Sequence, residues 1–402
     1  MLRDQTILCL APDPWEGLWR NRHQIMTRLA RLNTVLYVEP RLYLWEVLRR
    51  FRDGRLSLAD LRAPLARHYA ERLWIYHDPY YAPFSGRLSG GPLTAAWRRN
   101  AILATLRSLH AAAPILWLLR PYQADQIGRL GERLVVYHVT DDYSAHPTTG
   151  DRSAFLRAEE GLLRRADLVI VTSPGLFTSK GRFNPATYLV PNAVDYAGFQ
   201  AALATGVRPP ALAEGDNAIP HPRIGYAGAL NEKVDFSLLA HVARAHSDWH
   251  LVLIGALDLV GQPDKATVLG GLPNVHWLGR LPVADLPGAI AGMDVCLLPY
   301  ERNDWTANID SLKLYEYLAC GRPVVSVDVP AASRFGDVVQ VAANPDEFVC
   351  RIEAALHEDT DASALRRKAV AGANTWEHRV ARIEGLLGDA LSDAGRRSQS
   401  AP

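Results

Sequence analysis

Short apolar, β-branched runs alternate with segments of helical period along almost the whole chain, and this alternation leaves few folds open. The runs TILCLAP, NTVLYVEP, RLWIYHDP, PILWLLRP, RLVVYHVTDD, DLVIVTSP and TYLVPN fill the first half, with a helix near 21–32 between the first two. Runs this apolar belong to strands buried on both faces, and strands separated by helices form parallel sheets covered on either side. After a polar stretch rich in Pro and Ala near 200–222 a second series begins. It reads PRIGYAGA, a helix near 235–247, HLVLIGA, NVHWLG, DVCLLPY, a helix near 310–320, PVVSVDVP and VVQVAA. Two doubly wound α/β domains are the economical architecture. The pattern places them at residues 1–196 and 197–372, with a helical-period tail, 373–390, that either extends the second domain or crosses back to the first.

The totals support two cores and exclude several partners. At 402 residues and 48% hydrophobic content the chain can fill two ordinary domains. Lysine plus arginine (44) against aspartate plus glutamate (43) leaves a net charge of +1, so no bulk attraction draws nucleic acid to it. Cys9, Cys296, Cys320 and Cys350 form none of the close pairs that a zinc site or redox dithiol needs. The N-terminal apolar run stops at Asp13 and Pro14, too short for a signal-peptide core, and no stretch approaches the roughly 20 apolar residues that span a bilayer. A cytoplasmic location is the expectation. With no Gly-Lys-Ser/Thr loop and no G-x-G-x-x-G run, ATP hydrolysis and NAD chemistry lose support.

In doubly wound sheets ligands bind beyond the carboxyl ends of the strands, which directs attention to the segments that follow each run. Residues 310–325, DSLKLYEYLACGRPVV, read as a helix ending at Gly321, a turn through Pro323 and a strand. Lys313 and Glu316 are three apart, so they share a face near the helix start, where backbone amides and the helix dipole favour a phosphate. Lysine adds a point charge to a diphosphate, and a carboxylate can accept two ribose hydroxyls. The plainer alternative is an exposed Glu–Lys pair. In the first half, VVYHVTDDYSAH carries His138, Asp141 and Asp142 toward a strand end, where adjacent carboxylates beside histidine suit a general base. Asp142 could instead cap the next turn, and His138 could be a packed strand residue. The loop APDPWEGLWRNRHQ brings Trp15, Gly17, Arg20 and Arg22 to the first strand's end, where the arginines either neutralise phosphate or are solvated. Between 41 and 72, Arg41, Arg49, Arg50, Arg52, Arg55, Arg62, Arg67 and Arg72 alternate with Leu, Trp and Tyr. Such a segment either lies on an anionic membrane surface or forms a solvated insertion with snorkelling arginines.

The 310–325 segment resembles the donor-binding helix of GT-B glycosyltransferases, whose pattern ends in Glu, Ala, a hydrophobic residue, Ala, any residue, Gly, any residue, Pro and two valines. Here it reads Glu316, Tyr317, Leu318, Ala319, Cys320, Gly321, Arg322, Pro323, Val324, Val325. The resemblance extends over about 180 residues of the second half and implies a GT-B fold of two Rossmann-like domains facing across a cleft. It implies that Glu316 binds the ribose of the donor nucleotide, with Gly228 and Ala229 at its diphosphate and Gly279, Arg280 and Leu281 at its base. Tyr300, Asp310 and Ser311 would lie at sugar or phosphates, Leu312 and Leu314 elsewhere in the donor site, and Lys233 either at a phosphate or on the surface. Many retaining members carry a second glutamate eight residues before the first; that position is Asn308 here. The loop around Trp15, Gly17, Arg20 and Arg22 resembles the acceptor-side loop of bacterial polysaccharide and teichuronic-acid glycosyltransferases. Related enzymes use an aspartate or a histidine as base, which orders the candidates Asp142, Asp141, His138. The resemblance thus implies an enzyme that moves a sugar from a nucleotide sugar, UDP-sugar by preference, to a glycan or lipid-linked acceptor, with no resident cofactor or metal. Peripheral membrane contact through 41–72 would fit such an acceptor. Rival expectations are a UDP-N-acetylglucosamine 2-epimerase of the same fold and a catalytically degenerate nucleotide-sugar-binding protein.

Overall fold

The computed structural model describes residues 2–84, 91–146, 149–215, 218–260 and 262–399. The first eight strands are β1 (Thr6–Leu10), β2 (Thr34–Val38), β3 (Ala66–Ala70), β4 (Leu73–Tyr76), β5 (Ile115–Leu118), β6 (Leu134–Val139), β7 (Leu168–Val171) and β8 (Thr187–Leu189). They form one sheet in the order β3-β4-β2-β1-β5-β6-β7-β8, parallel except where β3 runs against β4. A second series follows with β9 (Arg223–Ala227), β10 (Leu230–Asn231), β11 (His250–Ile254), β12 (Leu257–Asp258), β13 (Val275–Gly279), β14 (Val295–Leu298), β15 (Val324–Val327) and β16 (Gln340–Ala342). Six of these make a parallel sheet ordered β13-β11-β9-β14-β15-β16, while β10 and β12 pair as a short ribbon.

Strand periodicity explains why the first sheet needs cover on both faces. Ile7 and Cys9 of β1 join one core, which includes Trp376, Val380, Ile383 and Leu387. Leu8 and Leu10 join the other, with Ile102, Leu106, Leu162 and Leu163 from two covering helices. The side-chain period of two sends alternate residues to opposite faces, so a continuous apolar run is what a doubly covered strand requires. Burial also pushes the Cys9 thiol up to about 12, which makes it an inert packing group.

The helical tail crosses back. Helix Trp376–Gln399 lays its apolar stripe on the first sheet, and the crossing is marked by a backbone bridge between Val194 and Thr375. Arg28 reaches Glu377 at 2.7 Å and Asp195 at 3.2 Å from an almost fully buried position. Asp310 of the second domain accepts from the Asn192 backbone at 2.6 Å, and its carbonyl accepts from the Asn192 amide at 2.5 Å. These contacts fix how the two sheets face each other.

The segment 41–72 is more structured than its composition suggests. Only Leu44–Arg52 is α-helix, and Ala66–Ala70 pairs antiparallel with β4 as the edge strand of the sheet. Among the described residues no helix is long and apolar enough to cross a membrane.

Candidate active site

Both sheets reverse strand order next to their first strand, between β1 and β5 and between β9 and β14, and ligands bind at such switch points. The carboxyl ends of the two sheets enclose a cleft of about 320 Å³, lined from the first domain by Arg20, Arg22, Thr140, Asp141 and Tyr143. The second domain contributes Gly228, Ala229, Arg280, Leu281, Tyr300, Lys313 and Glu316. A second hollow of about 700 Å³ lies at the amino ends of the second sheet's strands, where His221 pairs with Asp294 at 2.6 Å and His246 with Glu353 at 2.9 Å. It sits at the wrong end of the strands for a doubly wound site.

Helix Leu312–Ala319 points its first turn into the cleft. Its N-cap, Ser311, makes no side-chain cap, because the Ser311 hydroxyl is taken by the Tyr300 hydroxyl at 2.8 Å. The first-turn amides are therefore without a side-chain acceptor at a point where the dipole favours anions. Lys313 bends over Gly228, whose φ of +150° and lack of a side chain leave room for it. A Cβ at residue 228 would overlap the Lys313 Cε. Behind it, Gly255 lies at φ +141° where a Cβ would overlap the Gly228 carbonyl oxygen, so two glycines and a lysine stack where β9 and β11 end. Nothing in the pattern of single residues marked Gly255.

Glu316 and Lys313 are half-buried, and among the described residues no hydrogen bond or ion pair engages the Glu316 carboxylate. Desolvation raises the Glu316 carboxyl above its ordinary value, with the Lys313 charge opposing. Desolvation likewise lowers the Lys313 ammonium, with Glu316 opposing. A charged, hydrogen-bonding ligand would relieve both. Across the cleft, Asp141 meets Lys233 at 3.4 Å, and the Lys233 ammonium lies over the Trp305 ring at 4.4 Å from its centre. A cation from one domain and a carboxylate from the other thus face each other across the cleft.

Several expected site residues fall elsewhere, each for a physical reason. Asp142 caps the turn Tyr143–Ala145, accepting from the Ser144 amide at 3.2 Å and hydroxyl at 2.6 Å, and it does not line the cleft; Asp141 does. His138 lies within β6, edge-on to Trp117, and burial lowers it to about 3, far below what a general base at neutral pH needs. Trp15 is 2% exposed and packs against Trp19, His23, Tyr37 and Tyr69, while Gly17 lies outside the cleft lining. Arg20 and Arg22 reach the cleft, although Arg22 is also bonded to Asp13 and to the Tyr37 hydroxyl at 3.1 Å. Leu314 is fully buried in the second core, and Leu312 alone of the two leucines lines the cleft. Gly279 serves the sheet, its carbonyl accepting from Gly255 at 2.8 Å. Asp310 touches the cleft but is spent on Asn192, Tyr315 and Arg334. Asn308 donates to Asp142 at 3.4 Å and crowds Gly175, away from the cleft lining.

Residues 221–358, which include every cleft segment of the second sheet, match the family Glycosyl transferases group 1. This segment is a group 1 glycosyltransferase domain. The whole chain has the GT-B fold. It superposes on a sucrose-phosphate synthase from Thermosynechococcus elongatus with a TM-score of 0.68 and 16% identity, covering 97% of this chain and 100% of that one. It superposes on Anabaena HepE in complex with UDP-glucose with a TM-score of 0.65 and 16% identity, covering 96% and 99%. In sequence it is 25% identical over 260 residues to a Bacillus subtilis protein named as a teichuronic acid biosynthesis glycosyltransferase, TuaH. That match covers 60% of this chain and 64% of the Bacillus protein. Among the described residues no group of three or more His, Cys, Asp or Glu could hold a metal ion.

Proposed function

We propose that the chain transfers a sugar from a nucleoside diphosphate sugar, a UDP-sugar by preference, to a hydroxyl of a glycan or lipid-linked acceptor. The observation that carries this reading is the Glu316 carboxylate, without a hydrogen-bond or ion-pair partner among the described residues, next to Lys313, the Gly228 turn and a helix start with no side-chain cap. Glu316 would take the ribose hydroxyls, while the helix amides, Lys313 and Lys233 take the diphosphate, and the backbone at Arg280 and Leu281 meets the base. UDP is supported by the HepE complexes with UDP and UDP-glucose. A role in polysaccharide biosynthesis is supported by the likeness to TuaH, which is named for teichuronic acid biosynthesis.

The reaction needs the diphosphate to leave with its developing charge held. Lys313 and the helix amides face that charge without reorganising, which is the arrangement that accelerates such a step, and Lys233 joins them when the donor draws it from Asp141. In a direct displacement Asp141 takes the acceptor proton once the donor has drawn Lys233 away; in a retaining course the leaving phosphate itself accepts that proton. A second reading, a nucleotide-sugar-binding protein without turnover, is favoured by one observation: Asn308 is turned to Asp142 and Gly175, leaving no carboxylate at that position.

Calorimetry with UDP and GDP tests the nucleotide site. Wild type is expected to bind UDP, and Glu316→Ala to weaken it by about 1.5–3 kcal/mol, roughly tenfold to a hundredfold, for lost hydrogen bonds to a charged group. No binding by wild type, or unchanged binding by the variant, removes Glu316 from the site.

A further inference from the structure

Helix Leu44–Arg52 has an outward face that nothing among the described residues covers. Val47 is buried with Leu42 and Leu56, which seats the helix. On the opposite side, at helical spacing, Trp45 is 59% exposed and Leu48 60%, with Arg49 and Arg52 beside them. Tyr43, whose ring centre lies 6.4 Å from that of Trp45, is also exposed. An aromatic ring and leucines held in water beside arginines are unfavourable for a purely solvated helix, and they are what an interfacial helix presents to a lipid headgroup layer.

The charges select the partner. From Arg41 to Arg62 there are six arginines against three carboxylates, Glu46, Asp53 and Asp60. Glu46 accepts from the Tyr43 backbone at the helix start, and Asp60 accepts from Ser57. Arg41 pairs with Asp125 and Arg52 with Asp53, whereas among the described residues Arg49, Arg50, Arg55 and Arg62 have no ion-pair partner. The Arg49 guanidinium lies 5.2 Å over the Trp45 ring, so charge and apolar surface occupy one patch. Farther along, Arg67 pairs with Glu16 and Arg72 with Asp4, and Ala66–Ala70 is a sheet edge, so the basic surface ends before residue 66.

The patch is connected to the cleft mouth. Arg41 lies over the rings of Phe84 and Tyr122 at 5.4 and 5.3 Å, and Arg120, at the start of the Pro121–Gln126 turn that carries Tyr122, lies over the Tyr143 ring at 3.6 Å. Tyr143 lines the cleft. These residues follow β2, β5 and β6 at the carboxyl edge of the first sheet, where Arg20 and Arg22 also open into the cleft.

We propose that Tyr43, Trp45, Leu48 and Arg49, with Arg50 and Arg55 around them, dock the protein on an anionic lipid leaflet and hold the first-domain side of the cleft at that surface. The acceptor would then be lipid-linked, presented from the bilayer to Arg20 and Arg22; this last step rests on the transferase reading, and the docking does not. Partition should fall with salt, since the basic residues act through a screened field, and should need the apolar stripe as well.

Co-sedimentation with vesicles of phosphatidylcholine, with and without phosphatidylglycerol, tests the docking, and calorimetry with UDP runs in parallel on the same proteins. Wild type is expected to pellet with the anionic vesicles at low ionic strength and to stay in solution with the neutral ones. Trp45→Ser combined with Leu48→Ser, and separately Arg49→Glu combined with Arg50→Glu, are expected to lower anionic partition by about tenfold or more with UDP affinity unchanged. Failure of wild type to pellet, equal pelleting with neutral vesicles, or full pelleting by both variants overturns the proposal. A dimer in light scattering that Trp45→Ser with Leu48→Ser separates, without vesicle binding, assigns the face to a second copy and overturns it too. Vesicle binding without UDP binding leaves the docking standing and removes the transferase reading of the cleft.

Discussion

Lys313→Met is expected to lower kcat by about two to three orders of magnitude, the loss typical when one preorganised group facing a transition-state charge is removed. The side chain lies over Gly228 with its ammonium 5.3 Å from the centre of the Tyr226 ring, and its partial desolvation makes it responsive to a diphosphate. Its effect should appear in kcat and kcat/KM together, because the diphosphate gains negative charge as the glycosidic bond breaks. Initial rates at saturating donor give the answer, with a thermal melt to show that the fold survives. A change in KM alone would make Lys313 a ground-state contact and move the charge-stabilising role to Lys233 and the helix amides.

Lys180→Met is expected to destabilise the first domain by about 3–5 kcal/mol without touching the cleft. Lys180 bonds Glu159 at 2.7 Å, both side chains are nearly fully buried, and the Tyr137 hydroxyl donates to the same carboxylate at 2.9 Å. Removing the ammonium strands a buried carboxylate, whose desolvation is no longer compensated. Lys180→Met combined with Glu159→Leu and Tyr137→Phe should recover much of the loss, since the apolar group that results needs no hydrogen bonds. Urea midpoints of the first-domain transition measure both. Equal stability of wild type and Lys180→Met would contradict the burial seen here.

What the sequence made legible follows from the kind of signal each feature leaves. Strands such as Leu134–Val139 and Val295–Leu298 are apolar at every position because both faces are covered, so they stand out against the helices between them. Strand Ala66–Ala70 left no such mark: it is an edge strand of mostly exposed residues, and its pairing with β4 depends on a neighbour in space. In the cleft, Glu316 and Lys313 were readable because helix spacing puts them on one face beside a glycine turn. The choice between Asp141 and Asp142 was not, since adjacent residues differ only in which way the backbone turns; Asp142 faces Ser144 and Asp141 faces Lys233. Trp15 and His138 misled because aromatic and titratable residues near a strand end serve a core as readily as a site. Gly255 was hidden because its need for φ +141° arises from its approach to Gly228, a contact between strands.

Release of nucleoside diphosphate from a panel of UDP-sugars, followed with and without glycan or lipid-linked acceptors, tests the central claim most directly. The account predicts release that depends on acceptor and is lost together with nucleotide binding in Glu316→Ala. Tight UDP-sugar binding with no release for any acceptor would contradict a transferase and leave a nucleotide-sugar-binding protein in its place.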